Sequence, residues 1–303
     1  MAAHPKPPPR NGVPASVHHL PANCPPIPLV DYLTQQFPNV SHAAWLARLQ
    51  VGAVLNTEHQ PYSPQALCQP RALVWYYREP VNEPEVPFAH RVLYQSEHLV
   101  VADKPHFLPV TPGGQYAHNT LLVRLQQELN LPQLAPLHRL DRETAGLVMF
   151  SPTPGPARQA YLRLFREHAL RKVYHAIAPD VPALRTPQVV RHRLVNHPSD
   201  FFRMAVAEGA PNAETHIAQI KTLEHGMALY QLTPRTGLRH QLRVQMMALG
   251  APIVGDQFYP TVQKPAGAAE DYQHPLQLLA YSLTWTDPVS GSHHCFISPH
   301  ALV

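Results

Sequence analysis

A chain of 303 residues that is 45% hydrophobic holds enough apolar material for one large domain, or for one domain and a small module. No window approaches the roughly eighteen uninterrupted apolar residues of a membrane span, and proline stands where a signal peptide would have its apolar run, so a soluble, cytoplasmic protein is expected. The formal net charge of +4 is modest, and its distribution along the chain carries more information than its size.

Residues 1–28 contain HPKPPPRNGVP and PANCPPIP, a proline density that blocks helices and sheet ladders alike, and a disordered or extended leader is expected there. VDYLTQQF and HAAWLARLQ have the spacing of two short helices, while GAVLN and ALVWYY read as strands around a turn-rich segment. Residues 29–77 are therefore expected to form a small αβ module. REPVNEPEVP, with three prolines and three glutamates, marks a linker over 78–89, and a main domain over 90–303 follows.

In the main domain HLVVADKP is an apolar strand stopped at Pro105. In NTLLVRLQQEL, Asn119 or Thr120 can cap a helix whose Leu121, Leu122, Leu125 and Leu129 form one stripe. GLVMF is a buried strand. PARQAYLRLFREHAL spaces Ala157, Ala160, Tyr161, Leu164 and Phe165 as one helical face and turns Arg158, Arg163 and Arg166 elsewhere. KVYHAIA alternates as a strand, with Tyr174 on the face opposite Val173 and Ile177. ETHIAQIKTLEHGMALYQLTP reads as a hairpin turning at His225 and Gly226, and GLRHQLRVQMMALG as a helix ended by Gly250. Strands outnumber helices without a regular βαβ alternation, so the expected class is α+β with a mostly antiparallel sheet.

No G-x-G-x-x-G, Walker loop, H-E-x-x-H or G-x-S-x-G occurs, and nucleotide, zinc-protease and serine-hydrolase readings lose their usual support. Cys24, Cys68 and Cys295 are an odd number at distant spacings, which argues for reduced, mostly buried thiols over a disulfide framework or zinc knuckle. The twenty-one histidines, His293 and His294 beside Cys295 included, lack a partner pair at ligand spacing, and no metal site is expected. From Arg139 to Arg243 fifteen Lys or Arg face eight Asp or Glu, a local balance of +7. Arginine supplies nineteen of the twenty-four basic side chains, and its planar fork suits phosphate and base edges. This points to nucleic acid, with a charged solvated face as the usual alternative and a GC-rich genome as another source of arginine.

Two constellations carry chemistry. LHRLDRETAG, residues 137–146, sets Asp141 beside Arg139 and Arg142 between apolar segments, so a tight turn should present the carboxylate at the mouth of a core. A nearby arginine typically lowers a carboxyl pKa by roughly 1–3 units and keeps the group ionised, although these ten residues fit a structural ion pair equally well. In TPRTGLRHQLRVQ, Thr236 and Gly237 make the turn before a helix, and Arg239 and Arg243 stand four apart on one face with His240 beside them. The helix N-terminus adds about half a positive charge, giving an anion site for a phosphate or for a carboxylate such as Asp141. Leu242, Met246 and Leu249 occupy the opposite side and fix where the arginines point.

Taken in order, HRLDRETAGL, KVYHA, NAETHI and TGLRHQLRVQMMALGAPIVGDQFY resemble the motif set of the RluA-type RNA pseudouridine synthases. DKPHFLPVTP, residues 103–112, resembles the strand and loop that precede them, and the likeness runs from about residue 90 to the C-terminus. It implies an α+β pseudouridine synthase fold with a basic active-site cleft, and the isomerisation of uridine in structured RNA, either rRNA or tRNA. In that reaction the N-glycosidic bond breaks, the uracil turns, and its carbon 5 is joined to the ribose. No atom is exchanged and no electron is transferred, so no cofactor is implied. Asp141 matches the family's catalytic aspartate, Arg243 the arginine that pairs with it, and Tyr174 the active-site tyrosine. Arg139 matches the residue that helps extrude the target base, whose unstacking costs a few kcal/mol that a stacked planar cation can offset. Lys104, His138, Thr144, Thr236, Gly237, Arg239, His240 and Gln241 fall in the same motifs and complete the expected substrate-binding set, in a protein expected to act as a monomer.

The chain departs from the family pattern at several places. Leu238 stands where the family has the arginine of TGR, with Arg239 one step on; Ala145 replaces a common serine, Gln245 a common histidine, and Phe107 a common glycine. These bear on RNA choice and turn geometry. RLQVGAVLN followed by ALVWYY is distantly similar to the αL RNA-binding domain that family members append, with a plain stabilising appendage as the equal alternative. Two rival functions are a catalytically silent RNA-binding relative and a carboxylate-dependent nucleoside or glycoside hydrolase. The hydrolase needs a second acid as proton donor, and only Glu143 is near in sequence.

Overall fold

A computed structural model describes residues 6–10, 12–38, 40–77, 83–263 and 270–302. The chain divides into two compact units, Met1–Pro84 with Pro112–His118, and Glu85–Thr111 with Asn119–Val303.

The first unit contains β1 (Ser16–His19), α1 (Leu29–Gln36), α2 (His42–Gln50), β2 (Val54–Leu55) and β3 (Leu73–Tyr76), with an antiparallel sheet in the order β1-β3-β2. The Ser41 hydroxyl accepts the Ala44 N–H at 3.2 Å and starts α2, and both helices bury Leu33, Trp45 and Leu49 with Val74 of the sheet. Of the two forms expected for the leader, disordered or extended, its described part takes the extended one. Ser16–His19 pairs with β3, and Val13, Leu20 and Cys24 are buried. Pro14 and Pro21 bracket the strand without entering it, so every residue of β1 keeps its N–H for the ladder. Residues 1–5 and 11 of the leader, and 78–82 of the expected linker, lie outside the described residues. The rest of that linker is not loose: Val86 is buried, and Arg124 donates to the carbonyls of Val86 and Phe88, each at 2.8 Å.

The second unit runs through β4 (Arg91–Gln95), β5 (Val100–Lys104), α3 (Leu121–Glu128), β6 (Ala135–Pro136), β7 (Ala145–Ser151), α4 (Pro156–Arg166) and β8 (Arg171–Pro179). It continues with β9 (Gln188–Asn196), β10 (Met204–Ala207), β11 (Ala213–Thr222), β12 (Met227–Pro234), α5 (Gln241–Ala248), β13 (Leu278–Thr286) and β14 (His293–Ile297). One sheet has the order β10-β9-β11-β12-β8-β13-β7-β5-β4, with β14 on β13 and β6 on β7. Among the described residues every pairing in it is antiparallel except β7 with β13. The class is α+β with a mostly antiparallel sheet. Thr120, of the two candidate caps, accepts the Val123 N–H and starts α3. The β11–β12 hairpin turns at His225 and Gly226, both at positive φ as a two-residue turn requires. One core lies under β8, β11 and β12, where small Ala176, Ala178 and Ala228 leave room for Leu242 and Met246 of α5 against Ile217, Tyr230 and Leu232. β7 is buried along its whole length, as a strand covered on both faces must be.

The turn between β6 and β7 is held from four sides. Gly146 has φ +111°, and a Cβ there would lie 2.3 Å from the carbonyl oxygen of Ala280, where β13 comes alongside β7. Lys104, at the end of β5, is completely buried and donates to the carbonyls of Pro105, Leu108 and Arg142 at 3.0, 2.8 and 3.0 Å. This corrects its expected role, since an ammonium with three internal acceptors and no exposed surface braces the turn and does not reach a substrate. His106 Nδ1 is hydrogen-bonded to the Glu143 carbonyl at 2.6 Å. The Met149 N–H donates to His138 Nε2 at 3.1 Å, which requires that nitrogen to be unprotonated, and the ring stacks on Phe165.

Burial pushes the His106 imidazole down to about 4, with the Lys104 charge adding to the effect and the Glu143 carbonyl opposing it. Burial, and then the Lys172 charge, pushes His138 down to about 3. Both rings are neutral in the fold and titrate near 6.5 when unfolded, so the unfolded chain binds protons below about pH 6.5 that the folded chain refuses until about pH 4. Their stabilisation is complete above that window and is lost as pH falls through it. The thermal midpoint should drop by several degrees between about pH 7 and 4.5, and a His106→Gln, His138→Gln double variant should show a flatter profile in a melting series. Gly146→Ala should cost about 3 kcal/mol or more in chemical denaturation, because the positive φ and the Ala280 carbonyl both oppose a Cβ.

Candidate active site

A cavity of about 750 Å³ opens in the second unit between the 138–144 turn, the end of α4, the start of β8 and the 234–243 segment. That volume suits a small-molecule-sized group such as a single nucleobase with its sugar. Arg139, Arg142, Arg166, Lys172, Arg239 and Arg243 contribute to its lining, and Asp141 is its single carboxylate among the described residues. The Asp141 side chain is 27% exposed, open enough to meet a ligand. The Thr144 N–H donates to the Asp141 carbonyl at 3.2 Å and closes the turn that presents it.

Arg243 Nη1 donates to Asp141 Oδ2 at 3.2 Å, from a side chain only 1% exposed. Its Nε and Nη2 donate to Asp256 Oδ2 and Oδ1, each at 2.7 Å, in the two-point geometry a guanidinium and a carboxylate share. Asp256 is itself buried and accepts the N–H groups of Phe258 and Tyr259 at 2.8 and 3.1 Å. Burial works against the Arg243 charge, but the bond to Asp256 and the charges of Asp256, Asp141 and Glu143 outweigh it and hold the guanidinium above its ordinary range. One edge of the fork is thus taken by Asp256, and the remaining nitrogen is aimed at Asp141. Asp256 is the functional residue that spacing does not reveal. The available signal was chemical: an arginine in the buried row of a helix needs a buried carboxylate, and IVGDQFY places one in an apolar run.

Tyr174 extends from β8 into the lining while its ring packs against the core below. Burial first, and the nearby Asp141 charge second, raise its hydroxyl above the ordinary tyrosine range, so it is a neutral phenol that can donate a hydrogen bond. Asp141, Tyr174 and Arg243, from three distant segments, therefore border one space. His138 and Thr144 also line it, along with Lys172, Arg166, His168 and Phe165, which the motif reading passed over. Arg139 is exposed at the rim; Arg142 is bound to Glu143 at 3.0 Å and Glu270 at 2.6 Å.

The segment before α5 differs from its expected form. His240 is left-handed, with φ 52°, and α5 begins only at Gln241. Arg239 and Arg243 consequently do not share a helical face. Arg243 lies beneath the cavity floor, whereas Arg239 turns outward and its Nη2 donates to Asn196 Oδ1, Phe201 O and Arg203 O at 3.3, 3.0 and 2.9 Å. His240 Nδ1 is 2.9 Å from the Tyr259 hydroxyl and Nε2 is 3.9 Å from Asp141 Oδ2; burial lowers its pKa. Gln241 is buried, accepts from Thr236 Oγ1 and the Leu238 N–H, and donates to Glu214 O and Thr215 Oγ1. With all four positions of its amide engaged, Gln241 shapes the turn and is not free for a substrate, and Thr236 is its partner in that turn. Gly237 and Leu238 are left exposed on the lining. Gln245, where the family commonly has histidine, accepts the Thr215 hydroxyl in the interior.

Glu143 is 7% exposed and turned onto Arg142 and Arg243. It is absent from the cavity lining, so the second carboxylate that a hydrolase would need as proton donor is missing among the described residues.

Residues 98–248 match the family model described as RNA pseudouridylate synthase. An uncharacterized RNA pseudouridine synthase of Synechocystis is 30% identical over 76% of this chain and 79% of its own. The dual-specificity RNA pseudouridine synthase RluA of Salmonella typhi is 34% identical over 73% of this chain and 97% of its own. The ribosomal large subunit pseudouridine synthase D of Nitrosomonas europaea is 32% identical over 69% of this chain, which spans 61% of that relative. Among solved structures, human RNA pseudouridylate synthase domain containing 4 superposes with a TM-score of 0.54 at 27% identity, covering 70% of this chain and 88% of that one. Human RNA pseudouridylate synthase domain containing 1 shares the fold, with a TM-score of 0.56 at 23% identity over 72% of this chain and 86% of that one. With its motifs, its fold and these relatives in agreement, the chain belongs to the RluA-type RNA pseudouridine synthase family, whose members are isomerases acting on RNA.

Proposed function

We propose that this enzyme uses Asp141 to isomerise a uridine that has been extruded from structured RNA, ribosomal or transfer RNA, into the cavity. The observation that carries this is the Asp141 carboxylate, open to the cavity yet fixed at 3.2 Å by a guanidinium that Asp256 holds from behind. As the cavity's single carboxylate, Asp141 is the group that can act on the flipped nucleoside as nucleophile or base while the N-glycosidic bond breaks, the uracil turns and carbon 5 bonds to the ribose. The proton lost from carbon 5 goes to solvent and N1, freed from the sugar, takes one up, so reactants and products balance without a cofactor. Tyr174, kept neutral, closes one wall and can donate a hydrogen bond to the turning base. Arg139, at the rim, fills the gap that extrusion leaves in the base stack. The remaining cations meet phosphates, which ties affinity to salt. A ribosomal substrate is in keeping with the name of the Nitrosomonas relative. On this reading the enzyme is a cytoplasmic monomer; no helix among the described residues is long and apolar enough to cross a membrane.

The test is release of tritium from carbon 5 of uridine-labelled RNA. Asp141→Asn should abolish release while RNA affinity stays within about two-fold, and a comparable loss of both would make the residue structural. Arg243→Lys keeps the charge but not the fork, and should lower kcat by about 100-fold, equal to about 2.7 kcal/mol in the transition state. Asp256→Asn should lower kcat about 10-fold with little change in KM, since it frees the guanidinium to turn away from Asp141 without touching RNA.

A further inference from the structure

Phe201 stands apart on the surface of the second unit. Its side chain is 86% exposed, whereas the next most exposed large apolar residue among those described, Val51, is at 57%. It lies in the HPSDFFR turn between β9 and β10, and this turn is rigidly built. The His197 N–H donates to Arg203 O at 3.1 Å and the Arg203 N–H to Asp200 O at 2.8 Å. His197 Nδ1 accepts the Asp200 N–H, and Arg203 binds Asp200 Oδ2 at 3.1 Å and Pro260 O at 2.8 Å. The one acidic residue of the turn is thereby neutralised.

Two connections join this ring to the cavity. Arg239, a lining residue, donates to the Phe201 carbonyl at 3.0 Å. A file of rings leads outward from the lining: His240 stacks on Phe258 at 5.8 Å, Phe258 meets Phe202 at 5.4 Å, and Phe202 meets Phe201 edge-on at 5.5 Å. We propose that Phe201 is a stacking platform for an unpaired nucleobase of the RNA strand lying outside the cavity, held in place by Arg239. The inference rests on the synthase reading of the same site and names a contact beyond its chemistry.

The partner follows from the surroundings. Phe201 is the outermost ring of that file, preceded in the chain by His197, Pro198, Ser199 and Asp200, so it offers one free apolar face beside a cationic rim. A protein interface needs a contiguous patch of roughly 800 Å² on each side, which one phenyl cannot supply, whereas a single base needs only one flat face. Every base has a flat π-face that can stack on an aromatic side chain whatever its sequence, and a turn already fixed by hydrogen bonds loses little entropy in making the contact.

The experiment uses the full chain and tritiated total RNA from cells lacking this protein. Phe201→Ala should raise KM about 10-fold and leave kcat within two-fold, while Phe201→Trp should return KM to the wild-type value. The slope of log KM against log salt should be the same for wild type and Phe201→Ala, because no phosphate contact is removed. The thermal midpoint should be unchanged for a side chain this exposed. A KM for Phe201→Ala within two-fold of wild type, a loss confined to kcat, or a failure of tryptophan to restore KM would overturn the platform while leaving the synthase reading intact. If the wild-type protein itself releases no tritium, the synthase reading falls and this inference falls with it.

Discussion

A guanidinium with 1% exposure is the constraint around which the catalytic unit is organised. Arginine does not lose its proton on burial, so Arg243 must be neutralised in place, and an unpaired charge at that depth would cost several kcal/mol. Asp256 supplies two short bonds and takes one edge of the fork, Glu143 approaches a remaining nitrogen at 3.7 Å, and Asp141 accepts at 3.2 Å. Three carboxylates from two loops are thereby drawn to one cation on α5. Of the three, Asp141 alone lines the cavity, and its single longer bond leaves its carboxylate the one that can meet a ligand there.

Presenting Asp141 at that spot falls to the turn before β7. Gly146 lets β13 press against the backbone, Lys104 gathers the Arg142 carbonyl, and His106 gathers the Glu143 carbonyl. The turn is therefore fixed through its backbone by residues that do not line the cavity. The side chains of Arg139 and Asp141 are left free to face outward. A buried lysine, whose pKa burial pushes down to about 7, and two neutral imidazoles do this work, and the neutrality of the imidazoles follows first from their burial.

Period and punctuation made much of this architecture legible: α3, α4, β8 and the β11–β12 hairpin lie where alternation, apolar stripes and turn residues place them. What spacing could not convey were contacts made across the fold. Lys104 sits in a motif and carries the right charge for a phosphate, yet a strand end pointing inward gives it three carbonyls instead. Nothing in GLRHQL signals that His240 would turn left-handed and delay the helix, because histidine tolerates that conformation without the glycine that usually announces it. For the leader, proline density averaged over 28 residues is compatible with an extended chain but hides that the proline-free SVHH joins the sheet. Asp141, Tyr174 and Arg243 were readable because resemblance reports ordered motifs, and Asp256 was not because its role exists only once Arg243 is buried.

The delayed helix also explains how this chain accommodates leucine where the family has an arginine. Had α5 begun at Gly237, Arg239 would have shared a face with Arg243 and added a second cation beneath Asp141. With His240 in the left-handed region, the chain reverses between the two arginines, so that one goes under the floor and the other over the rim. Leu238 is left on the lining at 37% exposure, an apolar contact in place of an ionic one. Asp141 meets Arg243, braced by Asp256 and approached by Glu143, with His240 3.9 Å away, while Arg239 instead holds the β9–β10 turn. One arginine thus holds the Asp141 carboxylate, and the other, four residues before it, holds the β9–β10 turn at the rim.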